Sequence, residues 1–344
     1  MHITHADHVI GTSAPSPPAR RVFLVGATGT IGRATLRALV RHGHDVTCYL
    51  RPPRDARQTA EYARLFADVS MRTGVMDRAD AIVRDGLRGE RFDAVISCLA
   101  SRTGTPRDAW AVDHDAHQAL LAAARECGVP QFVLLSAICV QKPVLAFQQA
   151  KLAFERSLMA SGLRYSIVRP TAFFKSLSGQ LARVQAGKPF LLFGDGRLTA
   201  CTPIGDDDLA DYLVGCLEEP TRWNRVLPIG GPKPALTPRE QGEQLFALVG
   251  MPPKFSQVPV ALLSVIIAVL GVLGRVVPSL AEKAELAKIG RYYATESMLV
   301  WDAERARYDV DATPSYGAQT LVDHWRKLMQ GDAVDDRGAH RVFT

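Results

Sequence analysis

The sequence lacks the cysteine patterns of disulfide-stapled or zinc-binding proteins. Its six cysteines, at positions 48, 98, 127, 139, 201 and 216, form no C-x-x-C pair and show no paired spacing. A chain of 344 residues, 47% of them hydrophobic, can bury a sizeable core without such staples. We therefore expect reduced, mostly buried thiols and a cytoplasmic location.

Runs of one charge are also missing. The net charge is +6, and the basic residues are scattered rather than interleaved with aromatic ones, which argues against a nucleic-acid partner. His114 and His117 lie about one turn apart on a predicted helix, but without a cluster of further ligands they predict no metal site. The polar stretches 1–20 and 331–344 are predicted to be disordered tails, and the first lacks the apolar run of a secretory signal.

Charge is absent altogether from one segment, "FSQVPVALLSVIIAVLGVLG", between Phe255 and Gly274. Its length is sufficient to cross a membrane, but Pro259 and two glycines interrupt it and an ordinary globular sequence follows. We therefore predict an apolar helix at 258–277 that lines a pocket or rests on a membrane surface.

What the sequence does contain is a regular alternation of strands and helices. Short β-branched runs such as "RVFLVG" and "QFVLLSA" alternate with stretches of helical apolar spacing up to about residue 170. This rhythm predicts an α/β fold with a Rossmann-like, doubly wound parallel sheet. We expect an NADP-binding Rossmann domain at 21–200 and a smaller C-terminal substrate-binding region at 201–330.

A glycine motif, "GATGTIG", follows the first predicted strand and opens a helix. Gly26, Gly29 and Gly32 suit a tight turn, a close approach to a pyrophosphate and close packing of the helix. The first-turn N–H groups and the helix dipole would hold the anion. The remaining cofactor contacts predicted here are Thr28, Thr30, Ile31 and Arg33.

The end of the second strand predicts which nicotinamide cofactor is used. An NAD site normally offers Asp or Glu there, whereas this chain reads "CYLRPPR" and offers Arg51. Because arginines bind a 2'-phosphate through forked, charge-assisted hydrogen bonds, we expect NADPH. The alternative is that Arg51 is a solvated loop charge.

Other cofactor contacts are expected where the later strands end, because ligands of such folds gather at the carboxyl ends of parallel strands. Asp77 follows the third strand and is predicted to lie near the adenine. Ser136 follows the fifth strand and is predicted to lie near the nicotinamide. Three residues after the fourth strand are predicted to pass beside the adenosine: Cys98, Leu99 and Ala100.

A tyrosine is missing from the position where short-chain reductases carry their proton donor. In "AFQQAKLAFE", Phe147 stands four residues before Lys151, and no other Tyr-x-x-x-Lys pair exists in the chain. Lys151 is predicted to be the catalytic lysine and to bind the nicotinamide ribose; the alternative is an exposed helix lysine. Reduction of a conjugated carbon–carbon double bond would tolerate the missing hydroxyl, because an extended π system delocalises the carbanion before a proton arrives. The proton source stays open between Lys151, a tyrosine at 292 or 293, and water.

Several stretches resemble one family of atypical short-chain reductases with an NmrA-like Rossmann fold, the divinyl chlorophyllide a 8-vinyl-reductases. The most specific are "CVQKPVLAFQQAK" and "GRYYATESML", and the similarity runs from about residue 21 to 329. The resemblance implies NADPH-dependent reduction of the 8-vinyl group of divinyl chlorophyllide or protochlorophyllide to ethyl, in chlorophyll or bacteriochlorophyll biosynthesis.

The partner implied by this resemblance is a magnesium tetrapyrrole, together with peripheral contact of the protein with the inner or photosynthetic membrane. Its flat, apolar surface would suit five aromatic residues: Phe147, Phe173, Phe174, Tyr292 and Tyr293. Two alternatives are a non-catalytic NADP-binding regulator of the NmrA type and a reductase of another conjugated alkene.

Overall fold

The apolar runs of the sequence form the strands of one parallel sheet. A computed structural model describes residues 18–331 of the chain. The first eight strands are β1 (Arg21–Val25), β2 (Asp45–Leu50), β3 (Ser70–Thr73), β4 (Ala94–Ser97), β5 (Gln131–Leu135), β6 (Arg164–Pro170), β7 (Phe190–Phe193) and β8 (Arg225–Ile229). Seven of them pair in the order β3-β2-β1-β4-β5-β6-β8, and every pairing is parallel. The predicted Rossmann-like sheet is confirmed.

Helices cover both faces of this sheet. They are α1 (Thr30–Arg41), α2 (Ala56–Leu65), α3 (Ala79–Ala81), α4 (Pro106–Ala109), α5 (His117–Glu126), α6 (Ala146–Met159), α7 (Phe174–Leu177), α8 (Leu181–Gln185), α9 (Asp206–Gly215), α10 (Pro238–Val249), α11 (Val260–Leu273), α12 (Pro278–Thr295) and α13 (Leu321–Gln330). Wider π turns continue α3 through residue 87 and join α4 to α5. The side chains of α1 and α9 pack on one face, and those of α5 and α6 pack on the other.

The register of the sheet brings the ends of its central strands together. Val22 of β1 lies opposite Val46 of β2 and Ala94 of β4. These strands are buried on both faces, which explains why they are continuous apolar runs rather than alternating ones. Their carboxyl ends therefore present the loops after residues 25, 50, 97 and 135 at one edge, where Rossmann folds bind their ligands.

The division predicted at residue 200 does not match the sheet. Strand β8 and helix α9 both follow residue 200, yet β8 pairs with β6 and α9 packs on α1. Conversely, β7 precedes residue 200 but pairs with a ninth strand, β9 (Phe255–Val258), outside the main sheet. The chain therefore leaves the main sheet after β6, forms β7 outside it, and returns to add β8 at the edge of the main sheet beside β6.

The smaller part of the protein is built from β7, β9 and the last helices. A separate core contains Phe190, Phe246 and Trp325, the last of which is fully buried. An antiparallel pair, β10 (Val300–Asp302) and β11 (Arg307–Asp309), follows α12.

The charge-free segment folds differently from the predicted helix at 258–277. Its first residues form β9, and α11 spans only Val260–Leu273. Helix α11 packs on α12 as a hairpin, and no residue of α11 is buried. Its apolar side chains stay largely in solvent, with Val265 58% exposed, rather than lining an enclosed pocket. Within residues 18–331, no helix is both long and apolar enough to cross a membrane.

Candidate functional site

The glycine loop sits against the end of β4. Gly26 has a φ of +80°, and a Cβ atom there would lie 2.5 Å from the backbone carbon of Cys98. A Cβ on Gly32 would lie 2.1 Å from the carbonyl oxygen of Gly26. No side chain fits at either position, because backbone atoms surround both. The two glycines therefore let the start of α1 approach the end of β4, as the motif predicts.

This loop forms a cradle for an anion. Gly29 is the N-cap residue of α1, and the N–H groups of the first helical turn have no acceptor within the helix. Thr28 and Gly29 are exposed, so these donors are accessible from outside, whereas Ile31 is buried and offers only its backbone. The donors and the helix dipole fit the pyrophosphate of a dinucleotide. The described residues are thus suitable for a nicotinamide cofactor.

The other predicted cofactor residues lie along the same edge of the sheet. Arg51 follows β2 directly, is exposed, and forms no ion pair with any residue in 18–331. Asp77 and Ala100 are exposed beyond the ends of β3 and β4. Burial raises the pKa of the Cys98 thiol to about 12, and its sulfur lies 3.7 Å from the Thr35 hydroxyl. Cys98 therefore borders the loop through its backbone; contact of these residues with the cofactor stays a prediction.

Lys151 forms a buried ion pair that the sequence did not reveal. Helix α6 places Phe147 and Lys151 on one buried face, as predicted. The Lys151 ammonium lies 2.9 Å from the Asp113 carboxylate, and Asp113 is 1% exposed. The same carboxylate oxygen also accepts a hydrogen bond from the N–H of Ser101. Asp113 thus compensates the lysine charge and fixes its position.

His117 lies beside this pair and is neutral. Its Nδ1 lies 2.9 Å from the carbonyl oxygen of Val112, and its Nε2 lies 2.9 Å from the Ser97 hydroxyl. Since the carbonyl only accepts, Nδ1 carries the proton and Ser97 donates to Nε2. Burial, followed by the nearby charge of Lys151, lowers the pKa of His117 to about 4. The histidine is therefore a positioned, uncharged part of the site.

Ser136 is engaged by a second buried carboxylate. Its hydroxyl donates to Glu155 at 2.5 Å, and Glu155 also forms an ion pair with Arg169 of β6. Glu155 stands one turn after Lys151 on α6, so both side chains project from one face of that helix. The Ser136 hydroxyl thus already has an acceptor within the protein. Contact of Ser136 with the nicotinamide stays a prediction.

The five predicted substrate residues do not come together. Phe147 and Tyr292 belong to one buried group, the Phe147 cluster, whose other members are Ala109, Ile138, Cys139, Leu145, Ala150, Cys201 and Met298. Phe173 instead packs against the core beside α1 and α9. Phe174 is 2% exposed in the separate core of the smaller part. The structure therefore places Phe173 and Phe174 outside the Phe147 cluster, and their location favours packing over substrate contact.

Helix α12 covers the Phe147 cluster. The Tyr292 hydroxyl donates to the carbonyl oxygen of Cys139 at 2.8 Å, and the Tyr293 hydroxyl lies 3.8 Å from the Cys139 sulfur. Burial raises the pKa of both phenols above the usual value, so both are protonated at neutral pH. Tyr293 is the less covered of the two residues, with 45% of its surface exposed. Either phenol therefore has a proton to give.

Little space remains around Lys151. The crevice lined by Asp113, His117, Ser136, Lys151 and Phe154 is too narrow to hold a water molecule. Pockets for drug-sized ligands usually measure about 300–1,000 Å³. A large substrate therefore needs the elements around the site to move.

Two further charged residues near the glycine loop were missed in the sequence. Lys175 follows β6, and its ammonium donates to the hydroxyl of Thr30 at 2.8 Å. Asp206 begins α9, and burial together with Asp207 raises the pKa of its carboxyl to about 6. Asp206 is the first of three consecutive aspartates in the first turn of α9, where the helix dipole favours negative charge. No local pattern marks Lys175 or Asp113, because each meets its partner only through the fold.

The sequence and the fold are both similar to known proteins. A family model described as NAD(P)H-binding matches residues 26–220. The divinyl chlorophyllide a 8-vinyl-reductase of Oryza sativa subsp. indica is 45% identical over 340 residues, which cover 95% of this chain and 83% of that protein. The Arabidopsis thaliana protein of the same name is 44% identical over 351 residues, with 95% and 83% covered. Both are described as chloroplastic.

Among solved structures, the NADPH-dependent quinone oxidoreductase of Escherichia coli, complexed with NADPH, superposes with a TM-score of 0.61. The match covers 90% of this chain and 99% of that one at 15% identity. At such low identity the likeness concerns the fold alone.

Proposed function

The chain belongs to the divinyl chlorophyllide a 8-vinyl-reductase family and to the NAD(P)H-binding proteins, and on that premise we propose that it reduces the 8-vinyl group of divinyl chlorophyllide or protochlorophyllide to ethyl. The observation that carries this proposal is the similarity at 45% identity over 95% of the chain. The site adds independent support, since a buried phenylalanine stands where a carbonyl reductase needs a phenol.

The chemistry requires a hydride, a proton and a route for charge. Per turnover, the vinyl group gains one hydride and one proton and the cofactor is oxidised to NADP⁺. A reduced nicotinamide supplies the hydride when bound. The negative charge that develops on the substrate spreads into the conjugated macrocycle, so no residue has to protonate an alkoxide. Phe147 contributes an apolar surface at this position, and no phenol is needed there to protonate an alkoxide.

Lys151 has the role of a positioned cation in this proposal. Its ammonium is fixed by Asp113 and is nearly buried, so it is directed rather than mobile. An ammonium has three donors, and hydrogen bonds to ribose hydroxyls would use those that Asp113 leaves. His117, being neutral, adds no competing charge.

The cofactor is proposed to be NADPH rather than NADH. Arg51 supports this choice, because its exposed guanidinium follows β2 where an NAD-specific site carries an acidic residue. The guanidinium would donate two parallel hydrogen bonds to a 2'-phosphate. The regulator alternative shares this cofactor site but gives no reason for a buried Lys151–Asp113 pair.

We also propose that the hairpin of α11 and α12 rests on an anionic membrane surface. Apolar side chains of α11 are exposed together with Val276, which is 84% exposed in the turn between the two helices. The chain carries a net charge of +6, which favours a negatively charged surface. Flotation with phosphatidylglycerol vesicles should recover the wild type, and a Val265→Glu, Val269→Glu double variant should stay at the bottom. A Leu198→Glu variant, altered at an exposed leucine elsewhere, should float; equal flotation of all three would refute the membrane contact. The predicted cytoplasmic location stays a prediction.

Turnover provides the test of the reaction. Purified protein is incubated anaerobically with NADPH and divinyl chlorophyllide, and the pigment is followed by the blue shift of the Soret band and by chromatography. An 8-ethyl product is expected from the wild type. A Lys151→Met variant should lose most of the rate; because it leaves Asp113 buried without a counter-charge, its fold and its binding of NADPH are checked alongside. Unchanged pigment with NADPH bound would contradict the reductase function and favour the regulator, and full activity of the Lys151→Met variant would refute the role of that lysine.

A further inference from the structure

Lys175 reaches the glycine loop from beyond β6, which lies three strands away from β1 in the nucleotide-binding sheet. It lies in the first turn of α7, just beyond β6, whereas Thr30 begins α1 after β1. Its ammonium is partly buried and lies 2.8 Å from the Thr30 hydroxyl. The fold therefore brings a cation to the first turn of α1, where the anion cradle lies.

The contact with Thr30 uses only one of the N–H donors of the Lys175 ammonium. A lysine ammonium has three N–H donors, and the Thr30 hydroxyl accepts one of them. Within residues 18–331, Lys175 forms no ion pair with a carboxylate at 4.0 Å or less. A hydrogen bond to an uncharged hydroxyl leaves the partly buried positive charge of the ammonium without a counter-charge. The remaining donors thus lack an anionic partner of the kind that a phosphate would supply.

The surroundings of Lys175 reinforce this preference for an anion. The unsatisfied N–H groups and the positive dipole end of α1 lie at the same place. Asp206, whose charge interacts with that of Lys175, has a buried Oδ1 atom with no hydrogen-bond partner among the described residues. Of the other charges that act on Asp206, Arg37 already pairs with Asp207. The Lys175 ammonium and the N–H groups of α1 are thus the donors at the cradle that would bind an anion.

We propose that Lys175 binds the pyrophosphate of the nicotinamide cofactor together with the N–H groups of the glycine loop. This inference rests on the proposed function, since it concerns the same dinucleotide site. It assigns different phosphates to two cations: Lys175 to the pyrophosphate, which NADPH and NADH share, and Arg51 to the 2'-phosphate, which only NADPH carries.

Direct binding titrations separate these assignments without turnover. The dissociation constants of NADPH and NADH are measured by the fluorescence of the reduced nicotinamide for the wild type and for Lys175→Met, Lys175→Arg and Arg51→Gln. Lys175→Met should weaken both cofactors by about tenfold or more, as expected for the loss of a charge-assisted hydrogen bond. Lys175→Arg should recover much of the affinity. Arg51→Gln should weaken NADPH and leave NADH within about twofold.

Two controls exclude a merely structural effect. Lys188→Met removes an exposed lysine away from the cradle and should bind both cofactors like the wild type. Thr30→Val removes the hydrogen-bond partner but keeps the ammonium, and should weaken binding less than Lys175→Met. Thermal unfolding of each variant checks the fold.

The inference is overturned if Lys175→Met binds both cofactors within about twofold of the wild type. A loss confined to NADPH, or equal losses in Thr30→Val and Lys175→Met, would also overturn it. A wild type that binds neither cofactor would instead refute the proposed function itself, so the two failures are distinguishable.

Discussion

At the scale of single residues, the Lys151–Asp113 pair determines the charge beside the proposed reaction centre. Both side chains are almost completely buried, and their nitrogen–oxygen distance is 2.9 Å. Breaking such a pair by removing one partner is costly, because the remaining charge stays buried without compensation. Asp113 is therefore a positioning residue that acts through Lys151.

An Asp113→Asn variant tests this role. We expect its free energy of unfolding to fall by about 3–5 kcal/mol. The turnover rate should also fall, because Lys151 has lost the carboxylate that fixes its position. The decisive readout is kcat at a temperature where the variant is fully folded, since a merely structural loss would leave the folded protein fully active. Asp115→Asn, altered at an exposed neighbour, should keep the wild-type kcat; a wild-type kcat in fully folded Asp113→Asn would contradict the account.

His117 predicts a pH dependence of stability. Its pKa falls from 6.5 to about 4 on folding, so below pH 6.5 the unfolded chain binds a proton that the folded protein refuses. Stability from this residue is thus fully present above pH 6.5 and is lost as pH falls towards 4, by up to about 3 kcal/mol. The raised pKa of Asp206 acts in the opposite direction: folding favours its protonated form, and that contribution is lost as pH rises from 3.8 to about 6.

Comparison of the wild type with a His117→Asn variant isolates the histidine, because Asp206 is common to both. Chemical denaturation between pH 7 and pH 4 should show the wild type losing its stability advantage over the variant as pH falls. A difference in unfolding free energy that does not change with pH would contradict the assigned burial of a neutral imidazole.

Sequence reasoning reached some residues of the site and not others, for a physical reason. Gly26, Gly32, Phe147 and Lys151 were predictable because their signals are local: a glycine spacing after a strand, and two residues one helical turn apart. Asp113 and Lys175 were not, since their partners lie on elements distant in the chain and only tertiary packing joins them. Phe173 and Phe174 were grouped with Phe147 by residue type, whereas neighbouring positions after β6 face different cores.

At the scale of elements, α12 covers the Phe147 cluster. It is fastened there by the hydrogen bond from Tyr292 to Cys139. The crevice beside Lys151 is too narrow to hold a water molecule, whereas pockets for drug-sized ligands measure roughly 300–1,000 Å³. A flat macrocycle therefore needs neighbouring elements to move, and α12 is the element whose displacement would open the Phe147 cluster.

A Tyr292→Phe variant should loosen this cover. Loss of one buried hydrogen bond lowers the stability of this contact by about 1 kcal/mol. Amide exchange in residues 278–295 should therefore become several-fold faster. The KM for pigment should change, whereas the Kd for NADPH should stay the same. Hydrogen-exchange mass spectrometry measures the first effect. Tyr293→Phe, which loses only a weak contact with a sulfur, should show a smaller change. Equal exchange in all three proteins would mean that α12 is not held by this bond.

Elements with strong periodicity were predictable, and the charge-free segment was not. The helix that the alternation predicts after "QFVLLSA" is α6, because its apolar spacing and its position after a buried strand agree. The helix predicted at 258–277 was wrong at both ends, since Val258 pairs with β7, Pro259 caps α11, and the turn before α12 ends α11 at Leu273.

At the scale of the whole molecule, a nucleotide-binding sheet and a smaller covering part share one continuous chain. The parallel sheet covered by helices on both faces follows from the alternating sequence rhythm. The crossing of the chain between the two parts did not follow from it, because β7 and β8 are both short apolar strands whose partners the sequence does not specify. This arrangement places α12 over the Phe147 cluster, while the predicted cofactor residues lie at the carboxyl edge of the sheet.

The central claim is that hydride passes from NADPH to the 8-vinyl group at this site. The most direct test uses NADPH carrying deuterium at the transferable position of the nicotinamide, with divinyl chlorophyllide as substrate under anaerobic conditions, followed by mass spectrometry of the pigment. The account predicts an 8-ethyl product that carries one deuterium from the cofactor, and a strongly reduced yield from Lys151→Met. An 8-ethyl product without deuterium, or unchanged pigment while NADPH is bound, would contradict it.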